Sequence, residues 1–264
     1  MKGDNMDMDD KLIINKEADK YVHGMDWLSG ELEEFELSNY RKYQYDLIAK
    51  YLGENILEVG SGDRSFTNQI VKHSARFDRI VSIEPSITLF ETHENKYKFP
   101  DHVWFHMVDL FNLSKDTFGQ FDTAIFVHVL EHIEKDREAL NKVHELLLPS
   151  GIVLIEVPAL PSLFSVHDEM LGHYRRYNKK ILKDIVDTDK YTITDIWYQD
   201  ILGVLGSLYF FKIRKTKLAS TDGVQLVKNQ GNIYDKYVIP FESFIEKFVR
   251  FPLGLSLTAV LQKK

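Results

Sequence analysis

Between positions 56 and 198 the chain alternates short apolar runs with helix-like segments. The runs are ILEVG (56–60), RIVSIE (79–84), VWFHMV (103–108), DTAIFVH (122–128), IVLIEV (152–157) and a last one at 191–198. Apolar stretches of this length, rich in β-branched residues, are read as strands buried on both faces. Helices are expected at about 65–74, 86–96, 134–148 and 178–188, the third ending before Pro149-Ser150-Gly151. Strands separated by helices pair in parallel through crossover connections, so the alternation predicts a doubly wound α/β sheet.

The flanks extend this plan. SNYRKYQYDLIAKYLG, from Ser38, carries a polar start, apolar residues at helical spacing and Gly53 as a stop, which predicts a helix feeding the first strand. FPLGLSLTAVLQKK at the end alternates apolar and small residues and is read as the last strand. Residues 1–37 are an acidic tail followed by YVHGMDWLSGELEEFEL, expected to form an N-terminal helical cap over a ligand. The domain itself is placed at 38–264, with 200–252 as an insertion before the last strand that serves as a subdomain or acceptor-side lid.

Composition narrows the partners. With 264 residues, 44% of them hydrophobic, the chain buries one large core. A formal charge of −7 argues against general affinity for nucleic acid, which needs a basic surface to neutralise phosphates. The absence of cysteine excludes a disulfide framework, thiolate metal ligands and a cysteine nucleophile, and it fits a reducing cytoplasm. The start MKGDNMDMDD lacks the apolar core of a signal peptide, and no apolar run approaches the roughly 20 residues of a membrane-spanning helix. Within the insertion, ILGVLGSLYFF precedes Lys212, Arg214, Lys215 and Lys217. That combination suits either a core helix with a solvated basic end or peripheral contact with an anionic membrane surface. The later YDKYVIPFESFIEKFVRFP is amphipathic and suits a lid or a dimer face; the sequence leaves the oligomeric state open.

The stretch ILEVGSGDRSFT is a strand-glycine-helix junction, where a backbone without Cβ atoms approaches a ligand closely. A dinucleotide loop wants a third glycine where Ser65 stands, and Asp63 would repel a pyrophosphate at the helix N-terminus, which Arg64 could offset. Glu58, Glu84 and Asp109 fall at or near the ends of the first three strands. Carboxylates there suit ribose hydroxyls and a base amine, and a carboxylate-rimmed edge favours a cationic nucleoside over an anionic one.

ILEVGSGDRSFT, SIEPS, MVDLFNL, FDTAIFVHVLEHIEKDREAL and LLLPSGIVLIEVPA, in that order, resemble the successive motifs of class I S-adenosylmethionine-dependent methyltransferases over about Ser38 to Thr194. VPALPSLFSVHDEMLGHYRRYNKKIL and the terminal PLGLSL resemble a bacterial subgroup often associated with glycosyltransferases. Pattern and resemblance together lead to the expectation of a Rossmann-like seven-stranded sheet, mostly parallel with an antiparallel C-terminal strand. The resemblance implies S-adenosylmethionine as cofactor, with Glu58, Gly60, Ser61 and Gly62 at its methionine end, Glu84 and Pro85 at the ribose, Asp109 and Leu110 at the adenine, and His128 beside the methionine portion. It also implies a small-molecule, glycan or lipid-linked acceptor. The departure is Arg64, where the subgroup usually has glycine; its side chain would either crowd the loop or turn outward.

His128-Val-Leu-Glu131-His132 has the H-x-x-E-H spacing of an inverted zinc-peptidase motif. Because His128 closes an apolar strand, the two histidines straddle a strand-to-helix turn rather than share one helical face, so no metal is expected. Beyond the strand IVLIEV, the segment HDEMLGHYRRY should border the acceptor. His167, Glu169 and His173 are candidate bases, and Arg175, Arg176 and Tyr177 are candidates for holding an anionic acceptor. A methyltransferase acting on oxygen is the leading reading; a nitrogen acceptor, a dinucleotide oxidoreductase and a non-catalytic cofactor-binding partner are the alternatives.

Overall fold

The computed structural model describes residues 38–74, 76–207, 231 and 233–264. The expected cap over 1–37 and the basic segment with Lys212, Arg214, Lys215 and Lys217 lie outside the described residues. The described chain runs α1 (Ser38–Ile48), β1 (Asn55–Val59), α2 (Ser65–His73), β2 (Arg79–Ile83), α3 (Ile87–Thr92), β3 (Val103–His106), α4 (Lys115–Phe118) and β4 (Phe121–Val127). It continues with α5 (Asp136–Leu146), β5 (Leu147–Pro158), α6 (Val166–Met170), α7 (Lys179–Ile185), β6 (Tyr191–Gln199), α8 (Ile201–Ser207), α9 (Ile239–Glu246) and β7 (Ser256–Lys263).

The seven strands form one sheet in the order β3-β2-β1-β4-β5-β7-β6. β1 pairs in parallel with β2 and β4, β2 with β3, and β4 with β5, while β7 inserts antiparallel between β5 and β6. Side chains alternate across each strand, so the sheet has two cores. Leu57, Val81, Phe126, Ile155 and Ala259 face α5 and α7 with Leu140, Val143 and Leu182. Ile56, Ile80, Ile125, Leu154 and Val260 face α1 and α2 with Tyr45, Ile48, Phe66 and Ile70. Burial of each large aliphatic contributes about 1.5–3 kcal/mol, so the two layers together hold the sheet.

Several boundaries differ from expectation. β5 starts at Leu147, before IVLIEV: Phe121 pairs with Leu147 but Thr123 with Ile152, so Pro149-Ser150-Gly151 is a bulge between the two pairings, with Ser150 at φ 63. α3 stops at Thr92, short of the expected 96. α4 and α6, four and five residues long, are too short to reveal a period in sequence.

The described part of the insertion is fastened to the body. Asp235, in a π-helical turn (Tyr234–Val238), accepts hydrogen bonds from Tyr40 N (2.7 Å) and Asn39 N (3.2 Å) at the start of α1. Glu246 accepts from Tyr43 Oη and from Asp200 N, and Glu242 accepts from Leu202 N. Tyr237, Phe241, Phe244 and Phe248 stay exposed on the outer side. No helix among the described residues is long and apolar enough to cross a membrane. Asp235→Ala removes a remote cap from α1, and the unfolding free energy should fall by roughly 1–2 kcal/mol in urea denaturation.

Candidate active site

The C-terminal ends of β1, β4, β5 and β6 share one edge of the sheet, and the chain leaves that edge through left-handed backbone each time. Gly60 (φ 76) follows β1, His128 (φ 54) follows β4, Leu160 (φ 60) comes just after β5, and Asp200 (φ 64) follows β6. Non-glycine residues in this region carry strain, held here by the surrounding packing. In open α/β sheets this edge is where ligands bind.

The loop after β1 is anchored from below: Gly60 N and Ser61 N both donate to Ile83 O at 2.9 Å. A Cβ at Gly60 would lie 2.5 Å from Val129 Cγ2, so glycine there allows close packing. At Gly62 (φ +49) a Cβ would meet nothing within 4 Å; that face of the loop opens onto space. Buried Glu84 accepts from Gly62 N (2.9 Å) and Ser86 N (3.0 Å), joining the loop to the turn after β2, and Pro85 sits within that turn. Asp109 accepts from Phe111 N (2.8 Å) and starts a 3-10 turn (Leu110–Asn112). A backbone that can be approached closely, with carboxylates at the ends of β2 and β3, fits a cationic nucleoside.

Two residues of the expected cofactor set, Glu58 and Leu110, sit differently, and Arg64 follows neither of the two courses expected of it. Glu58 is buried beneath the loop, where it accepts from the hydroxyls of Thr67 and Ser82. Burial pushes its carboxyl up to about 7 against those two hydrogen bonds. It braces the loop rather than lining the crevice. Leu110 turns into the core, leaving only its backbone at the edge. Arg64 (φ 62) neither crowds the loop nor faces solvent: its guanidinium donates to Glu94 O (2.8 Å) and Phe90 O (3.1 Å) and lies 4.2 Å from the centre of the Phe105 ring. Asp63 accepts from Ser65 N at 3.0 Å and so occupies the start of α2, the place a pyrophosphate would need. Burial opposes its charge, yet Arg41 and Lys96 hold its carboxyl well below the usual range.

Beyond β4 the H-x-x-E-H stretch divides. His128 lies with Nε2 3.1 Å from Glu156 and Nδ1 3.4 Å from Glu131. Burial disfavours its charge, but the two carboxylates push its pKa up to about 9. Gln44 of α1 donates to the same oxygen of Glu156 at 2.6 Å. His132 instead meets His173 edge to face, ring centres 4.7 Å apart, and burial brings its pKa down to about 4. His173 Nδ1 lies 3.0 Å from Asp168, which also binds Arg176 Nε (2.6 Å) and accepts from Ser165 N (2.9 Å). Burial would raise Asp168, but His173 and Arg176 hold it at about 2. His167 is half-buried and Glu169 exposed, both on α6.

The expected anion clamp is a set of fastenings. Arg175 binds Asp136 at 2.6 Å and Glu134 O at 2.8 Å. Tyr177 is fully buried, its hydroxyl 3.0 Å from Asp136. Buried Asp136 and Asp168 require hydrogen-bonded partners, and the arginines and Tyr177 supply them, closing the 165–177 segment onto α5 and β5. Asp136, Glu156 and Gln44 were not singled out from sequence, and Asp168 stood out only as one of the polar residues of HDEMLGHYRRY. Glu156 had a signal: like Glu58 in ILEV, it is an acid inside an apolar strand, IVLIEV.

Residues 36–194 match the family described as a methyltransferase domain. The chain belongs to the class I S-adenosylmethionine-dependent methyltransferases. Its cofactor is S-adenosylmethionine. The N-methyltransferase NodS from Bradyrhizobium japonicum WM9, solved with S-adenosyl-L-homocysteine, superposes with a TM-score of 0.56 at 13% identity, over 93% of this chain and 98% of that one. A SAM-dependent methyltransferase from Archaeoglobus fulgidus gives 0.53 at 18% identity, covering 86% and 94%. The [4+2]-cyclase SpnF gives 0.53 at 17%, covering 84% and 80%. At these identities the likeness is one of fold. No curated protein matches the chain in sequence.

Two outcomes follow for this methyltransferase. Gly60→Arg should abolish S-adenosylmethionine binding in calorimetry, because the side chain starts inside Val129. Glu58 has its folded pKa raised to about 7, so stability present below its unfolded pKa is lost as pH rises through about 7. Glu58→Gln should therefore be more stable than wild type by roughly 1–3 kcal/mol near pH 8, with the gap closing near pH 5, in denaturation at both pH values.

Proposed function

We propose that this methyltransferase acts on the oxygen of a small, sugar-like or glycan- or lipid-linked acceptor. The observation that carries the reading is the group of Glu131, His132 and His173 just beyond β4, with Asp168 orienting His173. When bound, S-adenosylmethionine supplies an electrophilic methyl group whose bond to sulfur breaks as the bond to the acceptor forms. An aliphatic hydroxyl is a weak nucleophile at neutral pH and gains from a group that takes its proton or stabilises its negative charge. Neutral His132 and oriented His173 suit that need. The loop at Gly60, Ser61 and Gly62 would receive the methionine end, Glu84 with Pro85 the ribose, and Asp109 the adenine; His128 would lie beside the methionine portion.

A sugar or lipid-linked acceptor follows from the resemblance of HDEMLGHYRRY and PLGLSL to the glycosyltransferase-associated subgroup. Action in the cytoplasm, against the inner membrane surface where the acceptor is lipid-linked, accords with a chain lacking cysteine. Purified protein given S-adenosylmethionine and matched panels of hydroxyl and amine acceptors should release S-adenosylhomocysteine with the hydroxyl set. Product methylated on nitrogen alone would overturn the reading. His173→Ala should lower kcat about 100-fold with cofactor affinity unchanged.

A further inference from the structure

One ligand atom from each of Glu131, His132 and His173 lies within 4.8 Å of the other two. Ligand bonds of about 2.0–2.2 Å put donor atoms roughly 3.4 Å apart around a tetrahedral ion, so side-chain rotations of about an ångström would close the set. We propose that these three residues bind a divalent transition-metal ion of the zinc, cobalt or manganese kind, which holds the acceptor oxygen. The inference rests on the reading of this crevice as a hydroxyl methylation site.

A second observation points to a cation. Glu131 is fully buried, and neither carboxylate oxygen receives a hydrogen bond from the described residues. Its neighbour, His128 Nδ1, lies 3.4 Å from Oε1. The His128 imidazolium pairs with the carboxylate through Oε1 alone, so Glu131 keeps acceptor capacity for a second cation.

The surroundings supply the outer support that metal ligands need. A ligating histidine normally gives its other nitrogen to a carboxylate or backbone carbonyl, which fixes the ring and raises its basicity. His173 gives Nδ1 to Asp168 at 3.0 Å, which leaves Nε2 for an ion. His132 is hydrogen-bonded to the backbone of Gly172. His128 stands behind Glu131 in the same outer position. This division answers the geometric objection to H-x-x-E-H: the second histidine of the site is His173, brought by the segment after β5, and His128 is not a ligand.

Two imidazoles and one carboxylate are a borderline donor set suited to transition metals rather than to calcium or magnesium. Three protein ligands leave positions open, and the partial exposure of His132 and His173 gives the acceptor access. An acceptor hydroxyl on the ion would lose its proton to water more readily, and the ion would change neither charge nor oxidation state. The histidines then act as ligands, and hydroxyl activation passes to the ion.

The test uses the full chain after chelator treatment, titrated with cobalt chloride and followed by visible absorption, and with zinc chloride followed by calorimetry. Wild type should take up one equivalent. Glu131→Gln and His173→Ala should each weaken metal binding at least about tenfold, and Asp168→Asn about tenfold through His173. S-Adenosylmethionine affinity, measured in the same samples, should not change and reports that each variant is folded. Cofactor binding without metal uptake by wild type overturns the metal site alone, as does equal metal affinity in folded Glu131→Gln and His173→Ala. Wild type that binds metal but no cofactor overturns the reading of the crevice beneath it.

Discussion

Parallel pairing gathers the C-terminal ends of β1, β4 and β5 at one edge, and the antiparallel β7 returns β6 to that same edge. The chain must leave this crowded rim steeply, and it does so by left-handed backbone at Gly60, His128, Leu160 and Asp200. Only the first is glycine. The other three keep an unfavourable conformation because β-sheet hydrogen bonds on one side and packed loops on the other leave no alternative. The glycine loop, the histidine cluster and the docking of the insertion all begin at these exits.

The same rim concentrates buried charge. Glu58, Glu84, Glu131, Glu156, Asp136 and Asp168 are all buried, and each buried carboxylate must be hydrogen-bonded, paired or protonated. Hydroxyls and a raised pKa serve Glu58; loop N–H groups serve Glu84; His128 and Gln44 serve Glu156; arginines serve Asp136 and Asp168. These bonds fasten the 165–177 segment and the glycine loop to the sheet. Glu131 has His128 at 3.4 Å as its ion-pair partner.

How much of this could be read from residues alone varied with the physics involved. ILEV, RIVSI and IVLIEV announced themselves because strands buried on both faces must be apolar throughout, and Gly60 and Gly62 because few residues accept positive φ. Arg64 was ambiguous: its guanidinium found two backbone carbonyls and two aromatic rings on α3, β3 and the turn following α3, none adjacent in sequence. HDEMLGHYRRY was visibly rich in chemistry, yet its arginines and Tyr177 went to Asp136 and Asp168. Which polar group serves structure depends on which buried acid it meets.

By itself the sequence determined the strand-helix alternation and the glycine turn after the first strand, because hydrophobic periodicity and glycine placement are local properties, while the methyltransferase family was legible through the resemblance of its motifs. Tertiary structure alone decided that His173 rather than His128 joins His132 and Glu131, that Glu58 supports the loop from beneath, and that Asp235 caps a helix almost 200 residues earlier in the chain. Those outcomes depend on the distance and burial between residues far apart in the chain, and no local pattern encodes either.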